Sequence, residues 1–210
     1  MPLVLEGIVS TRADDGGAHL APMGPWIDEA QRGRPTSLVL LPFATSRTAV
    51  HLARDGVGVF HVTDDCLLLA RLIAGVEVPV PVRPAVAVEG WVIEDCCRAF
   101  EFRVGVADRA TPRQQLAATV VHVHEGRPFF GWNRATAAVV EGAVHVSRLP
   151  LLGAAEVGRR LEALRMAIDK TAGERERAAF ALLVSAVAAA GYADGSSGPA
   201  AGARADRPIP

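Results

Sequence analysis

Along this chain the hydrophobic positions change their period once. Up to about residue 133 they alternate or form short β-branched runs, the mark of strands; beyond it they recur at helical spacing. Residues 3–11 are β-rich, and Asp14-Asp15-Gly16-Gly17 is a hairpin turn because glycine accepts positive φ. The chain returns through residues 18–27, where Pro22, Gly24 and Pro25 deny ladder pairing on both sides and mark a bulged or edge strand. A polar loop at 31–35 leads to a third strand, 37–42. Thr45 or Ser46 then caps a short helix whose apolar face is Val50, Leu52 and Ala53 and which Asp55-Gly56 ends. Residues 57–63 form a compact strand, and Asp64 and Asp65 cap an apolar helix over 66–74.

Valine alternates with proline from Val76 to Pro84, which predicts an extended connector without ladder donors. Strands follow at 86–94, 99–108 and 115–124, the middle one alternating through Phe100, Phe102, Val104 and Val106. Residues 133–149 are helical, and 154–187 give two more helices parted near Thr171-Ala172-Gly173. The predicted class is α+β: six or seven mainly antiparallel strands closing into a barrel, which removes exposed edges, with short inserted helices and a C-terminal helical segment. The expected divisions are a barrel domain over 1–135, a helical segment over 136–190, and a disordered tail over 191–210, where there is almost nothing to bury.

Composition narrows the function classes. Half of the 210 residues are hydrophobic, and 22 Lys and Arg face 23 Asp and Glu. A net charge of −1 lacks the basic surplus of a general nucleic-acid binder. All the cations but Lys170 are arginine, so a single Arg carries little weight by itself. No apolar run reaches the roughly 20 residues of a membrane span, and the first residues lack the charged start and apolar core of a signal peptide. Cys66, Cys96 and Cys97 show no metal-ligand spacing and read as small buried hydrophobes in a reducing compartment, so a cytoplasmic location is expected.

Chemistry is most concentrated at residues 37–48, where a strand feeds a loop with Thr45, Ser46, Arg47 and Thr48 that opens a helix. A helix start offers unpaired N–H groups and partial positive charge, the makings of a phosphate site, and equally an ordinary capped helix with a solvated arginine. The run from His19 to Pro25 puts backbone rather than side chain against something flat and bulky, unless it is simply a bulged edge. His61 and Thr63 share a strand face, and Asp64 reads as a cap. His122 and His124 also share a face, but without an evident third ligand no metal is expected. Residues 126–134 bring Phe129, Phe130 and Trp132 beside Asn133 and Arg134, either as the wall of a planar-ligand site or as a dimer or core contact, with Asn133 capping the next helix. There is no nucleophile elbow, Walker loop or dinucleotide fingerprint.

Five runs, in order, carry a family resemblance: Leu5-Glu6-Gly7-Ile8-Val9-Ser10-Thr11, Ala21-Pro22-Met23-Gly24-Pro25, Pro42-Phe43-Ala44-Thr45-Ser46, Gly58 to Asp65, and Phe130-Gly131-Trp132-Asn133-Arg134-Ala135. Over about residues 3–188 the chain resembles the prokaryotic FMN-binding split-barrel proteins called domain of unknown function 447, whose wider relatives include flavin reductases and pyridoxamine-phosphate oxidases. The resemblance implies a homodimer with FMN at the subunit interface. It also implies phosphate contacts from Thr45, Ser46 and Thr48, with Arg47 as the loop's cation, a ring site lined by Met23 and Gly24, and further contacts from Thr63, Asn133 and Arg134. The basic residues that the family usually has beside the Pro-Phe pair are here Leu41 and Ala44. The implied function is a flavoprotein oxidoreductase, the alternative a non-catalytic FMN carrier or sensor. His19 and His61 are the side chains to test as acid or base.

Overall fold

A computed structural model describes residues 2–196. Ten strands and five helices follow one another: β1 (Leu3–Val4), β2 (Gly7–Arg12), β3 (Ala18–Met23), β4 (Trp26–Ile27), β5 (Ser37–Leu40), α1 (Arg47–Asp55), β6 (Val57–Val62), α2 (Cys66–Ile73), β7 (Val82–Pro84), β8 (Trp91–Ile93), β9 (Arg98–Asp108), β10 (Gln115–Glu125), α3 (Arg134–Val146), α4 (Leu149–Thr171) and α5 (Glu174–Ser196). The main sheet is antiparallel in the order β1-β4-β5-β10-β9-β6-β2-β3, and β7 and β8 form a separate hairpin.

The register shows how this sheet closes. Gly7 to Arg12 stand opposite Met23 to Ala18, and Val4 and Leu3 stand opposite Trp26 and Ile27 in the same unbroken register. The Leu5 N–H donates to the Pro25 carbonyl, which bridges the two halves. The first four strands are therefore one long bent hairpin. One arm pairs with β6 through Ile8, Val9 and Ser10; the other pairs with β5 at Trp26 and Val39. The circuit has six strands and one gap: along 18–23, β3 pairs among the described residues only with β2, which leaves its other main-chain edge open. This split barrel is the predicted fold, with the predicted edge strand at its opening.

Alternation sorts the side chains. Val9, Phe60, Phe100 and Phe102 point inward with Leu38, Leu40 and Leu116, all essentially sealed from water. Each such burial is worth roughly 2–3 kcal/mol. Their neighbours Ile8, Val59 and Ala99 point outward, under α2, α3, α4 and α5. Helix α1 stops one end of the barrel, with Leu52 in the inner core and His51 Nδ1 2.9 Å from Thr11 Oγ1. Gly56 ends that helix in the left-handed conformation (φ 66°), as the sequence predicts.

Three boundaries differ from expectation. Within 86–94 only Trp91–Ile93 is a strand, and its partner Val82–Pro84 lies in the segment read as non-pairing. Residues 86–88 instead give their N–H groups to a buried side chain, described below. Helix α5 also runs past Gly191 to Ser196, and Gly191, where a Cβ would lie 3.5 Å from Ala154 Cβ, faces α4 rather than ending the helix. The rest of the expected tail, 197–210, lies outside the described residues. Among the described residues no helix is long and apolar enough to cross a membrane.

Candidate functional site

The start of α1 is built as the sequence predicts, with Ser46 rather than Thr45 as the cap: its hydroxyl accepts the Ala49 N–H at 3.2 Å. The amides of Arg47 and Thr48 are then left without a partner among the described residues, as the first turn of any helix leaves them. Thr45 and Arg47 are exposed there, Arg47 with no ion pair among the described residues, while Thr48 is buried, with its hydroxyl 3.3 Å from His19 Nε2 on β3. A groove of about 610 Å³ opens beside them, lined by His19, Arg47, Leu72 and the extended segment 75–80.

That contact fixes one end of the free β3 edge at the helix start. Four to five residues further on, about 15 Å at the rise of a strand, come Met23 and Gly24. Met23 is half-buried against the inner core. A Cβ on Gly24 would lie 2.7 Å from Val4 Cγ1 and 3.0 Å from Glu6 Oε2, so the hairpin folds closely over this glycine. Opposite Met23, Gly7 has no alternative: its Cβ would stand 2.3 Å from the His61 carbonyl oxygen and 2.7 Å from the Phe60 ring.

Thr63 lies just beyond β6, its hydroxyl accepting the Asp65 N–H at 3.0 Å, and shares a small cleft of about 30 Å³ with Glu6, Gly7 and Asp64. The two aspartates that the sequence reads alike have different tasks. Asp65 caps α2 through the Leu68 N–H. Asp64 anchors the aromatic run, accepting from the Arg127 guanidinium and, at 2.8 Å, from the Phe130 N–H. Arg127 bridges on to Asp95, and its hydrogen bond holds the Asp64 carboxyl below the usual range although burial opposes it. From this fixed base Phe130 and Trp132 project almost wholly into solvent, at 90% and 96% exposure. Asn133 caps α3, accepting from Ala135 and Thr136, while its Nδ2 donates to the Thr171 carbonyl. Its amide is thereby committed within the chain, and the adjacent Arg134 is exposed. The structure thus gathers the predicted residues at two stations, Thr45 to Thr48 at one end of β3 and Met23, Gly24 and Thr63 around Glu6 at the other, with Asn133 and Arg134 opening the helix whose Thr136 lines the same cleft.

Burial favours the neutral imidazole at both histidines named as acid or base candidates, His19 and His61. His61 is fully buried; its Nδ1 donates to the Ile8 carbonyl at 3.1 Å and its Nε2 accepts the Ile93 N–H at 3.0 Å, so the neutral ring pins three strands together. Burial pulls its pKa down to about 4. His19 is held at about 4 as well, by burial first and then by Arg47 and His51.

Sequence reasoning passed over Glu101 entirely. It lies on the outward face of β9 at zero exposure, and its carboxylate accepts from the N–H groups of Val86 (2.7 Å), Ala87 (2.6 Å) and Val88 (3.0 Å) and from His124 Nε2 (2.6 Å). With His122 this is a two-histidine, one-carboxylate cluster whose ligand atoms lie within 4.8 Å of one another. Its hydrogen bonding argues against a metal. Arg83, a pure donor, approaches His124 Nδ1 at 3.2 Å, so Nδ1 is the acceptor and Nε2 carries the hydrogen given to Glu101. A metal on Nε2 would need the other tautomer and would set two donors face to face. The sequence carries no signal of this, because Glu101 falls at a polar position of the strand alternation; once buried, a carboxylate must have dedicated partners.

A family model described as "Protein of unknown function (DUF447) N-terminal domain" matches residues 5–127, and one described as "Protein of unknown function (DUF447)" matches 133–185. Among solved structures the chain is similar to the FMN-bound protein MM1853 from Methanosarcina mazei, with a TM-score of 0.75 and 18% identity, covering 89% of this chain and 96% of that one. Weaker likenesses include an FMN-binding protein from Thermus thermophilus (TM-score 0.47, 14% identity, 61% and 78% covered) and the styrene monooxygenase flavin reductase of Pseudomonas putida S12 (0.47, 12%, 60% and 82%). No curated protein matches the chain. The two matches span most of the barrel and of the helical segment, and the chain belongs to the DUF447 family.

Proposed function

We propose that this chain binds FMN along the free edge of β3, with the phosphate at the start of α1 and the ring system against Met23 and Gly24. The observation that carries this reading is the pairing of unsatisfied Arg47 and Thr48 amides, flanked by exposed Thr45 and Arg47, with an unpaired strand edge that leads directly from them to a close-folded glycine. Amides, hydroxyls and a guanidinium are the donors a phosphate dianion takes, and they need no displaced partner here. Arg47 takes the place of the two cations lost at Leu41 and Ala44. Thr63 stands at the ring end. A solved structure of similar fold, MM1853, is FMN-bound, which favours the same ligand.

The working unit in this reading is a cytoplasmic homodimer. Phe130 and Trp132, anchored yet uncovered, are the aromatic surface that a second copy would bury at the ring end, bringing Arg134 with them. When bound, the flavin supplies hydride or electron transfer, and the protein supplies position and electrostatics. That His19 and His61 stay neutral and internally bonded favours a flavin-centred oxidoreductase over one that depends on an imidazole acid, and is equally at home in a carrier. Anaerobic addition of NADH or NADPH separates the two: bleaching of the bound flavin supports the reductase, and an unchanged spectrum supports the carrier.

The binding site itself is tested with a Thr45→Ala, Arg47→Ala double variant, which spares the Ser46 cap. FMN affinity falls at least tenfold, the loss of one or two charge-assisted bonds. An unchanged dissociation constant would place the phosphate elsewhere.

A further inference from the structure

Glu6 stands at the middle of the bent hairpin, between β1 and β2. Both of its carboxyl oxygens lie about 3 Å from where a Gly24 Cβ would be (3.0 and 3.1 Å), so the carboxyl covers the side-chain face of that glycine. It makes no ion pair or side-chain hydrogen bond among the described residues, although it reaches into the cleft of Gly7, Thr63 and Thr136. From the helical layer the acidic neighbour is Glu141 on α3. Partial loss of hydration, and then Glu141, raise the Glu6 pKa and favour the neutral acid. Asp64 is held charged by Arg127, Asp65 is paired with Arg175 at 2.8 Å, and burial pushes the Cys66 thiol up to about 11. Glu141 itself has His145 3.3 Å away.

A neutral carboxylic acid offers an O–H donor beside a C=O acceptor. That pair is complementary to an imide edge, an N–H beside a C=O, and closes two hydrogen bonds with it. An ionised carboxylate offers acceptors only and turns one of the two contacts into repulsion against the imide carbonyl. We infer that Glu6 is the ring-reading residue of the site, and that its carboxyl, held over Gly24, pairs with the imide edge of a flavin or similar uracil-like ring placed beside that glycine. This rests on the FMN reading above. It adds a ligand class, rings with an adjacent N–H and C=O, and a direction of pH dependence. Affinity for the ring is greatest at low pH and falls as pH rises through the Glu6 titration.

The test uses riboflavin, which has the ring but no phosphate to titrate, alongside FMN, each measured by flavin fluorescence from pH 5 to pH 8. For the wild type, riboflavin binding weakens as pH rises. The Glu6→Gln variant, whose amide keeps a donor and an acceptor at every pH, binds with little pH dependence. The Glu6→Ala variant is weaker about tenfold at low pH, the loss of two neutral hydrogen bonds. Glu141→Gln moves the wild-type profile to lower pH, which a merely structural role for Glu6 does not predict. Unaltered melting temperatures confirm that these surface variants fold. Equal binding by wild type, Gln and Ala variants, or a wild-type affinity that holds level to pH 8, overturns the inference while FMN binding stands. A wild type that binds neither FMN nor riboflavin overturns both.

Discussion

Replacing Glu101 by Gln tests the internal scaffold at its most heavily used side chain. The carboxylate accepts four hydrogen bonds at zero exposure, three of them from consecutive backbone amides of the 86–88 loop. A carboxamide keeps one oxygen, whichever way it turns, and points an NH2 at donors that have no water to fall back on. Bonds to a charged acceptor are worth about 1.5–3 kcal/mol each, and a buried group left unpaired costs about 1–3 kcal/mol. Losing two of the four contacts therefore costs about 3–5 kcal/mol, a large share of the stability of a domain of this size. Urea unfolding reads this as a fall in midpoint at unchanged slope. Hydrogen exchange places it: the amides of Val86, Ala87 and Val88 lose protection first. Burial raises the Glu101 pKa, but the bonds from Val86, His124 and Ala87 together outweigh it and leave it below the usual range. The stabilisation is accordingly present above the ordinary Glu pKa of about 4.3 and lost as pH falls through the lower folded value, so wild type and variant converge in acid. A loss under about 1 kcal/mol at pH 7, with the 86–88 amides still protected, would refute this account of the loop.

Other outcomes follow from single contacts. Gly7→Ala forces a Cβ to within 2.3 Å of the His61 carbonyl, which is backbone and cannot swing away; a loss of about 2–3 kcal/mol is expected in the same urea assay. His61 is neutral in the fold, with a pKa of about 4 against roughly 6.5 when unfolded, so the unfolded chain binds the extra proton between those values. Stability contributed by His61 is full above pH 6.5 and lost down to pH 4, about 3 kcal/mol in all, and a His61→Gln variant shows a flatter profile over that window. Asp64→Ala frees Arg127 and the Phe130 N–H; Trp132 fluorescence anisotropy falls as the arm loosens, while the melting temperature changes little.

Much of this was legible in the sequence. The turn at Asp14 to Gly17, the Pro22-Met23-Gly24-Pro25 edge and the cap-rich loop before α1 each carry a local cause, strong enough to act before tertiary contacts form. The fold class, the edge strand and the capped helix start follow from these. The chain's own competition for the same groups was not legible. The sequence offers Asn133 both as a cap and as a ligand contact, and the cap of α3 takes it; it offers Asp64 as a cap of α2, and the Arg127 anchor takes it instead. Glu101 and Glu6 both escape sequence reasoning. Glu101 falls at an ordinary polar position of the strand alternation, and its burial is explained only by a loop thirteen residues upstream. Glu6 is indistinguishable from any surface glutamate until the bent hairpin lays it over Gly24. Hairpin closure, too, is a matter of register rather than composition.

The most direct measurement is a crystal structure of the protein grown with FMN. The account predicts the phosphate within hydrogen-bond reach of the Arg47 and Thr48 amides, with the ring beside Gly24. Flavin density elsewhere, with the start of α1 bare, would contradict it.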